Sequence, residues 1–135
     1  MASSEYLVHW TPRPGLTPLV RPGDAALRYI DFGMISLARG ASIDVPAENK
    51  ETALVLLGGA AAIEGLGQPR AIGPRRSLFE DNPWTVMLPA QCGCRIKATT
   101  DAEIALCQAP SSRGGEPRVI GPESVKEMSI GRDHW

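Results

Sequence analysis

Histidine is nearly missing from this chain of 135 residues. There are two, His9 and His134, near opposite ends. A chain with so little imidazole cannot assemble a three-histidine metal centre from its own residues. Cysteine is scarce too, with Cys92, Cys94 and Cys107 and no C-x-x-C pair. The C-x-C spacing of Cys92 and Cys94 puts both on one face of a strand, a poor geometry for a disulfide. Reduced thiols and a cytoplasmic location are the expectation. No sign of charge dominates: 14 basic and 15 acidic side chains leave a net charge of −1. That excludes a basic footprint for nucleic acid. The one close basic pair, Arg75-Arg76 in GPRR, is expected in a solvated turn. No apolar run is long enough to cross a bilayer, and the start MASSEYLVHW has neither a basic region nor a long apolar one. Neither a membrane partner nor a signal peptide is therefore expected. There is no internal repeat.

What is present is ordinary globular material. Apolar residues make up 43% of the chain, enough for one domain with its own core. The 14 glycines and 12 prolines are spread out and punctuate many short segments. Residues 6–10 (YLVHW) predict a first strand, and 11–23 a Pro-rich connector running extended over the surface. Further strands are predicted at 26–38, 41–45, 52–57, 60–64, 69–72, 77–79, 84–88, 103–109 and 117–120. Residues 92–98 have the cleanest period of two. Cys92, Cys94, Ile96 and Ala98 share one face and should point inward, while Arg95 and Lys97 point outward. Many short strands without a convincing helix imply an all-β, antiparallel sandwich or jelly-roll barrel. The expected division is an N-terminal strand and connector over 1–23, a barrel over 24–120 and an exit segment over 121–135. That last segment holds at most one helical turn.

Two blocks resemble a cupin barrel. One is GASIDVPAENKETALVLLG, in which Glu51 precedes the apolar run to Gly58. The other is LFEDNPWTVMLPAQCGCRIKA, in which Cys94 stands five residues after Pro89. In metal-binding cupins two histidines precede that glutamate and a third follows that proline. The corresponding positions here are Pro46, Glu48 and Cys94. The resemblance therefore implies a cupin without a metal of its own, and no cofactor is expected. The blocks RYIDF…SLARG, ETALVLLGGAAAI, LFEDNPWTVMLPA and TTDAEIALCQAP…PRVIGPESV together resemble the N-terminal cupin half of the 5-deoxyglucuronate isomerase family of myo-inositol catabolism. Family members are two-cupin chains whose metal ligands lie in the other half. The implied reaction interconverts 5-deoxy-D-glucuronate and 2-deoxy-5-keto-D-gluconate. Such a step needs a base beside the carbonyl and an electrophile for the enediolate oxygen, commonly a divalent metal. This chain by itself is expected to be inactive.

Four pocket candidates follow: Glu48, Glu51, Trp84 and Cys94. The carboxylates and the thiol could face the barrel mouth. Equally, Glu51 could hold a loop and Cys94 could be a small buried apolar residue. Trp84 could wall a pocket or fill the core. His9 is expected as a packed or edge side chain, and no catalytic residue is assigned. Implied partners are a small sugar acid, a second cupin chain, and a second copy paired through the edge strand at 6–10. The competing reading is a stand-alone degenerate cupin that binds a small molecule or a protein without catalysis.

Overall fold

The computed structural model describes residues 7–24 and 27–131. Nine strands run in order: β1 Gly15–Val20, β2 Asp31–Leu37, β3 Ser42–Val45, β4 Lys50–Glu64, β5 Arg70–Arg75, β6 Thr85–Leu88, β7 Cys94–Ala98, β8 Ala102–Pro110 and β9 Arg118–Ile120. A single 3-10 turn, Pro122–Ser124, follows them. Every pairing is antiparallel. One sheet path is β1-β2-β8-β4-β6-β9; on the other side β5 and β7 flank β4, and β3 pairs with β7.

The barrel closes because β4 belongs to both sides. Residues 50–58 pair with β8, residues 59–63 with β5 and residues 61–64 with β7. The register slips between Leu56 and Gly58 and again between Gly59 and Ala61, so the strand turns a corner there. Gly59 has φ +83°, and a Cβ on it would strike the Asp101 carbonyl. Only glycine fits that combination of left-handed backbone and close approach. Alternate residues on the inner face make the core: Ile35 and Leu37, Leu54 and Leu56, Ile63, Ile72, Val86, Ile96, and Ile104 with Leu106. Each fully buried aliphatic side chain contributes roughly 1.5–3 kcal/mol. In β7 the predicted alternation holds: Cys94, Ile96 and Ala98 are buried, while Arg95 and Lys97 are exposed.

Several expectations need correction. Leu7 to Trp10 form no strand, and Tyr6 lies outside the described residues. The segment read as a surface connector instead contributes β1. This is sterically allowed because Gly33 of β2 lies beneath it: a Cβ there would come within 2.9 Å of Leu16 Cδ1. Pro18 is tolerated because β1 is an edge strand. The long strand expected over 26–38 starts only at Asp31, and Ala26 is outside the described residues. The strands expected at 52–57 and 60–64 are one strand, bent at the two glycines rather than ended by them. Strand β5 continues through Gly73-Pro74 to Arg75. Residues 77–79 form the start of a turn, not a strand. Arg75 is not solvated but only 7% exposed. Its guanidinium donates to the carbonyls of Leu56 (2.7 Å), Leu78 (3.2 Å) and Asp81 (3.2 Å). No helix among the described residues is long and apolar enough to cross a membrane.

Candidate functional site

One end of the barrel carries a polar row above an interior that, Arg75 apart, is mostly aliphatic. Asp31 of β2 is in register with Gln108 of β8, and Gln108 with Thr52 of β4. The next inward rows are Gly33, Leu106 and Leu54, then Ile35, Ile104 and Leu56. The period of two that aims the aliphatic residues into the core thus aims these three polar residues into the mouth above it. Gln108 Nε2 donates to Thr52 Oγ1 at 2.9 Å, so the buried Thr52 hydroxyl is engaged.

Lys50 stands two residues before Thr52 and on the same face. Its Nζ lies 2.8 Å from Asp31 Oδ2 and 3.4 Å from Glu48 Oε2. Asp31 Oδ2 is shut off from water and has no well-aligned hydrogen bond. The ammonium at 2.8 Å is what compensates its charge. The bond to Asp31 is the main cause that raises the Lys50 pKa above its ordinary value, opposed by burial and helped by the charges of Asp31 and Glu48. Lys50 is therefore a fixed cation at neutral pH.

Two adjoining hollows flank this lysine. The larger, about 290 Å³, lies under β1 and includes Arg21 and Asp31. The smaller, about 190 Å³, reaches the β3–β4 loop and includes Asp44, Pro46 and Glu48. Leu16, Lys50, Leu106 and Gln108 line both. A third hollow of about 520 Å³ lies at the Gly58-Gly59 corner. It is wider and more open, and no interior polar row faces it. The mouth is the better site because fixed polar groups converge there over an apolar floor.

The four sequence candidates do not come together. Glu48 sits at the rim beside Lys50. Glu51 points out of the barrel and is exposed, because it has the opposite parity from Lys50 and Thr52. Trp84 packs half-buried against the core, and its carbonyl accepts from the Leu56 N–H at 3.0 Å. Cys94 is 7% exposed within the core, opposite Val45. Burial above all, then the Cys92 and Asp44 charges, pushes its thiol pKa up to about 11. It is a protonated packing residue at neutral pH, not a nucleophile. His9 is exposed outside any strand, and His134 lies outside the described residues. Sequence reasoning missed Asp31, Lys50, Thr52 and Gln108. Parity links them, since Thr52, Leu54 and Leu56 inward forces Lys50 inward and Glu51 outward, but the run 52–57 is apolar on both faces and does not mark which is inner.

The residues at the usual cupin ligand positions do not fit a resident metal. Pro46 offers no donor, Glu48 neighbours the Lys50 ammonium, and Cys94 holds its proton. Among the described residues no three His, Cys, Asp or Glu side chains are grouped to hold an ion.

The antiparallel barrel, closed by one long bent strand around an aliphatic interior, is that of the cupin class. A solved RmlC-like cupin protein from Desulfovibrio desulfuricans shares the fold, with a TM-score of 0.55 and 17% identity over 82% of this chain and 99% of that one. Within that class the chain belongs to the KduI/IolB family, which matches residues 11–135. A relative described as 5-deoxy-glucuronate isomerase, from Geobacillus kaustophilus, is 34% identical over 108 residues. The solved IolB-like protein from Salmonella typhimurium LT2 gives a TM-score of 0.78 at 32% identity, over 86% of this chain and 45% of that one. The aligned region is 78% of this chain but only 39% of the Geobacillus relative, so the match spans about two fifths of the curated relatives' length.

Proposed function

We propose that this chain is the metal-free barrel of a 5-deoxyglucuronate isomerase-type system of inositol degradation. In this reading it holds a sugar acid at its mouth while a second, histidine-bearing cupin barrel supplies the isomerisation. The observation that carries it is the state of the polar groups at the mouth. Lys50 is a cation with Asp31 and Glu48 as counterions, and Gln108 bonds to Thr52. Such a set can bind and orient a hydroxy acid. In the free protein both carboxylates serve Lys50 as counterions, so no base stands poised to move a proton between adjacent carbons, which aldose–ketose interconversion requires. Small volume favours a monosaccharide acid over a larger ligand, since ligand sites commonly span roughly 300–1,000 Å³.

The test is an isomerase assay on 5-deoxy-D-glucuronate, with the chain alone and with a separately produced histidine-bearing cupin barrel of the same family. Turnover only in the combination supports the proposal, and turnover by this chain alone sinks it. A second reading, a stand-alone barrel that binds its ligand without catalysis, is favoured by the mouth being complete within one chain. It predicts binding with no gain in turnover from the added barrel. Pairing of two copies is proposed through β1 or β9, the ends of the longer sheet path. A cytoplasmic setting accords with three free thiols.

A further inference from the structure

The two hollows at the mouth differ in charge, and that difference orients a ligand. The larger is lined by two cations, Arg21 and Lys50, and by one carboxylate, Asp31. The smaller is lined by Lys50 and by the carboxylate of Glu48; Asp44 borders it, but its carboxylate is on the outer face with Arg95. Arg95 answers Asp44 through two bonds of 2.7 and 3.0 Å, but Arg95 does not line the hollow. With two cations against one carboxylate, the larger hollow draws an anionic group more strongly than the smaller, where one cation meets one carboxylate.

We infer that Lys50 and Arg21 receive the carboxylate of a polyhydroxy monocarboxylic acid in the larger hollow, and that Asp31 is a positioning residue for Lys50. This rests on the reading that the mouth binds a sugar acid. Asp31 is only 16% exposed and its Oδ2 is out of water, so it is poorly placed to meet a ligand. It holds the ammonium at 2.8 Å. Glu48 is the looser counterion, 46% exposed and 3.4 Å away. An incoming carboxylate competes with Glu48 for Lys50, while Asp31 keeps the lysine in place. Arg21 stands at a turn closed by its own N–H donating to Asp24 Oδ2 at 3.0 Å, which sets the root of its side chain over the hollow. Gln108, between the two hollows, uses one amide hydrogen on Thr52. A primary amide keeps a second donor and an acceptor for ligand hydroxyls. Leu16 and Leu106 supply the apolar surface beneath.

The experiment is calorimetric titration of the full chain with D-glucuronate and with D-glucose, at two salt concentrations. Wild type should prefer glucuronate, and the preference should shrink with salt. Lys50→Met should weaken glucuronate about tenfold and leave glucose unchanged, with Lys50→Arg restoring much of the loss. Arg21→Met should cost about threefold. Glu48→Gln should tighten glucuronate two- to fivefold, roughly the worth of one exposed ion pair. Asp31→Asn should weaken glucuronate even though it removes a negative charge from the mouth, which marks Asp31 as positioning Lys50; tighter binding, as for Glu48→Gln, would make it a plain counterion and overturn that role. Matched melting curves for Lys50→Arg and Arg21→Met keep the comparison valid if Lys50→Met folds poorly. Unchanged glucuronate binding in Lys50→Met and Arg21→Met overturns the inference and leaves the sugar-acid reading intact. No sugar-acid binding by the wild type removes that reading and this inference together.

Discussion

Arg75 and Lys50 both turn inward in this barrel, and they are held in opposite ways. Arg75 is sealed: it is 7% exposed, and its guanidinium is bonded to three backbone carbonyls. Lys50 is left at a hollow, 32% exposed, between two carboxylates. The carbonyl partners of Arg75 belong to the β4 corner and to the 77–81 loop, so its charge ties two pieces of backbone together. The partners of Lys50 are side chains, one of which is itself half-exposed. A cation committed to backbone has a structural role. A cation balanced by exchangeable carboxylates can trade one of them for a ligand.

The sharpest break of this comparison is Arg75→Met. It leaves the buried Leu56 carbonyl without its donor and should cost ~3 kcal/mol in urea unfolding, with faster hydrogen exchange in the 77–81 loop. A loss below ~1 kcal/mol would mean the arginine is not a strut. Gly59→Ala comes next at ~2 kcal/mol, from a left-handed residue pressed against the Asp101 carbonyl. It probes the same corner from the backbone side. Lys50→Met should cost only about 1 kcal/mol, since its charge is partly screened by water and the main loss is the partner of Asp31 Oδ2. Should Lys50→Met prove as damaging as Arg75→Met, the distinction between the two cations would collapse.

The pH dependence gives a gentler test, with signs fixed by the shifts. The Asp81 carboxylate accepts from the N–H groups of Arg76 and Ser77, and these bonds hold its pKa below the ordinary 3.8. A depressed acid contributes stability above its unfolded pKa and loses it as pH falls through the folded value. The 77–81 loop should therefore loosen below about pH 4, with Asp81→Asn removing that acid sensitivity. Cys94 behaves in the opposite sense. Its folded pKa of about 11 lies above the ordinary 9.0, so the stability it lends is present below pH 9 and is lost as pH rises toward 11. Thiol labelling at pH 8 should accordingly be slow at Cys94 in the native chain and fast after unfolding. Fast native labelling would contradict the inward register of β7.

Most of the fold was legible because its strands follow a short period. The residues 92–98 announced their inner face through strict alternation, and the apolar run 52–57 announced a central strand. The family resemblance placed the cupin blocks in order. The site was less legible. Glu51 stood out as a charge next to an apolar run, yet it faces solvent. The parity that decides this was hidden because Ala53, Val55 and Leu57 make the outer face of β4 apolar too. Cys94 stood out for its position in the cupin pattern, but it belongs to the core. Arg75 looked like half of a solvated basic pair because nothing local marks the carbonyls that fold over it.

The sequence by itself determined the all-β class, the inward face of β7, the want of histidine ligands and the family. The first three rest on local alternation and composition, and the family on the resemblance of its motif blocks; none needs knowledge of what lies across the sheet. Only the tertiary structure decided that residues 15–20 form a strand, that β4 bends through its glycines, and that Asp31, Lys50, Thr52 and Gln108 meet. Asp31 and Gln108 are neighbours through the pairing of β2 with β8, and Gln108 and Thr52 through the pairing of β8 with β4. Such contacts depend on register between distant segments, and register is set by the packing of the whole core rather than by any one stretch of chain.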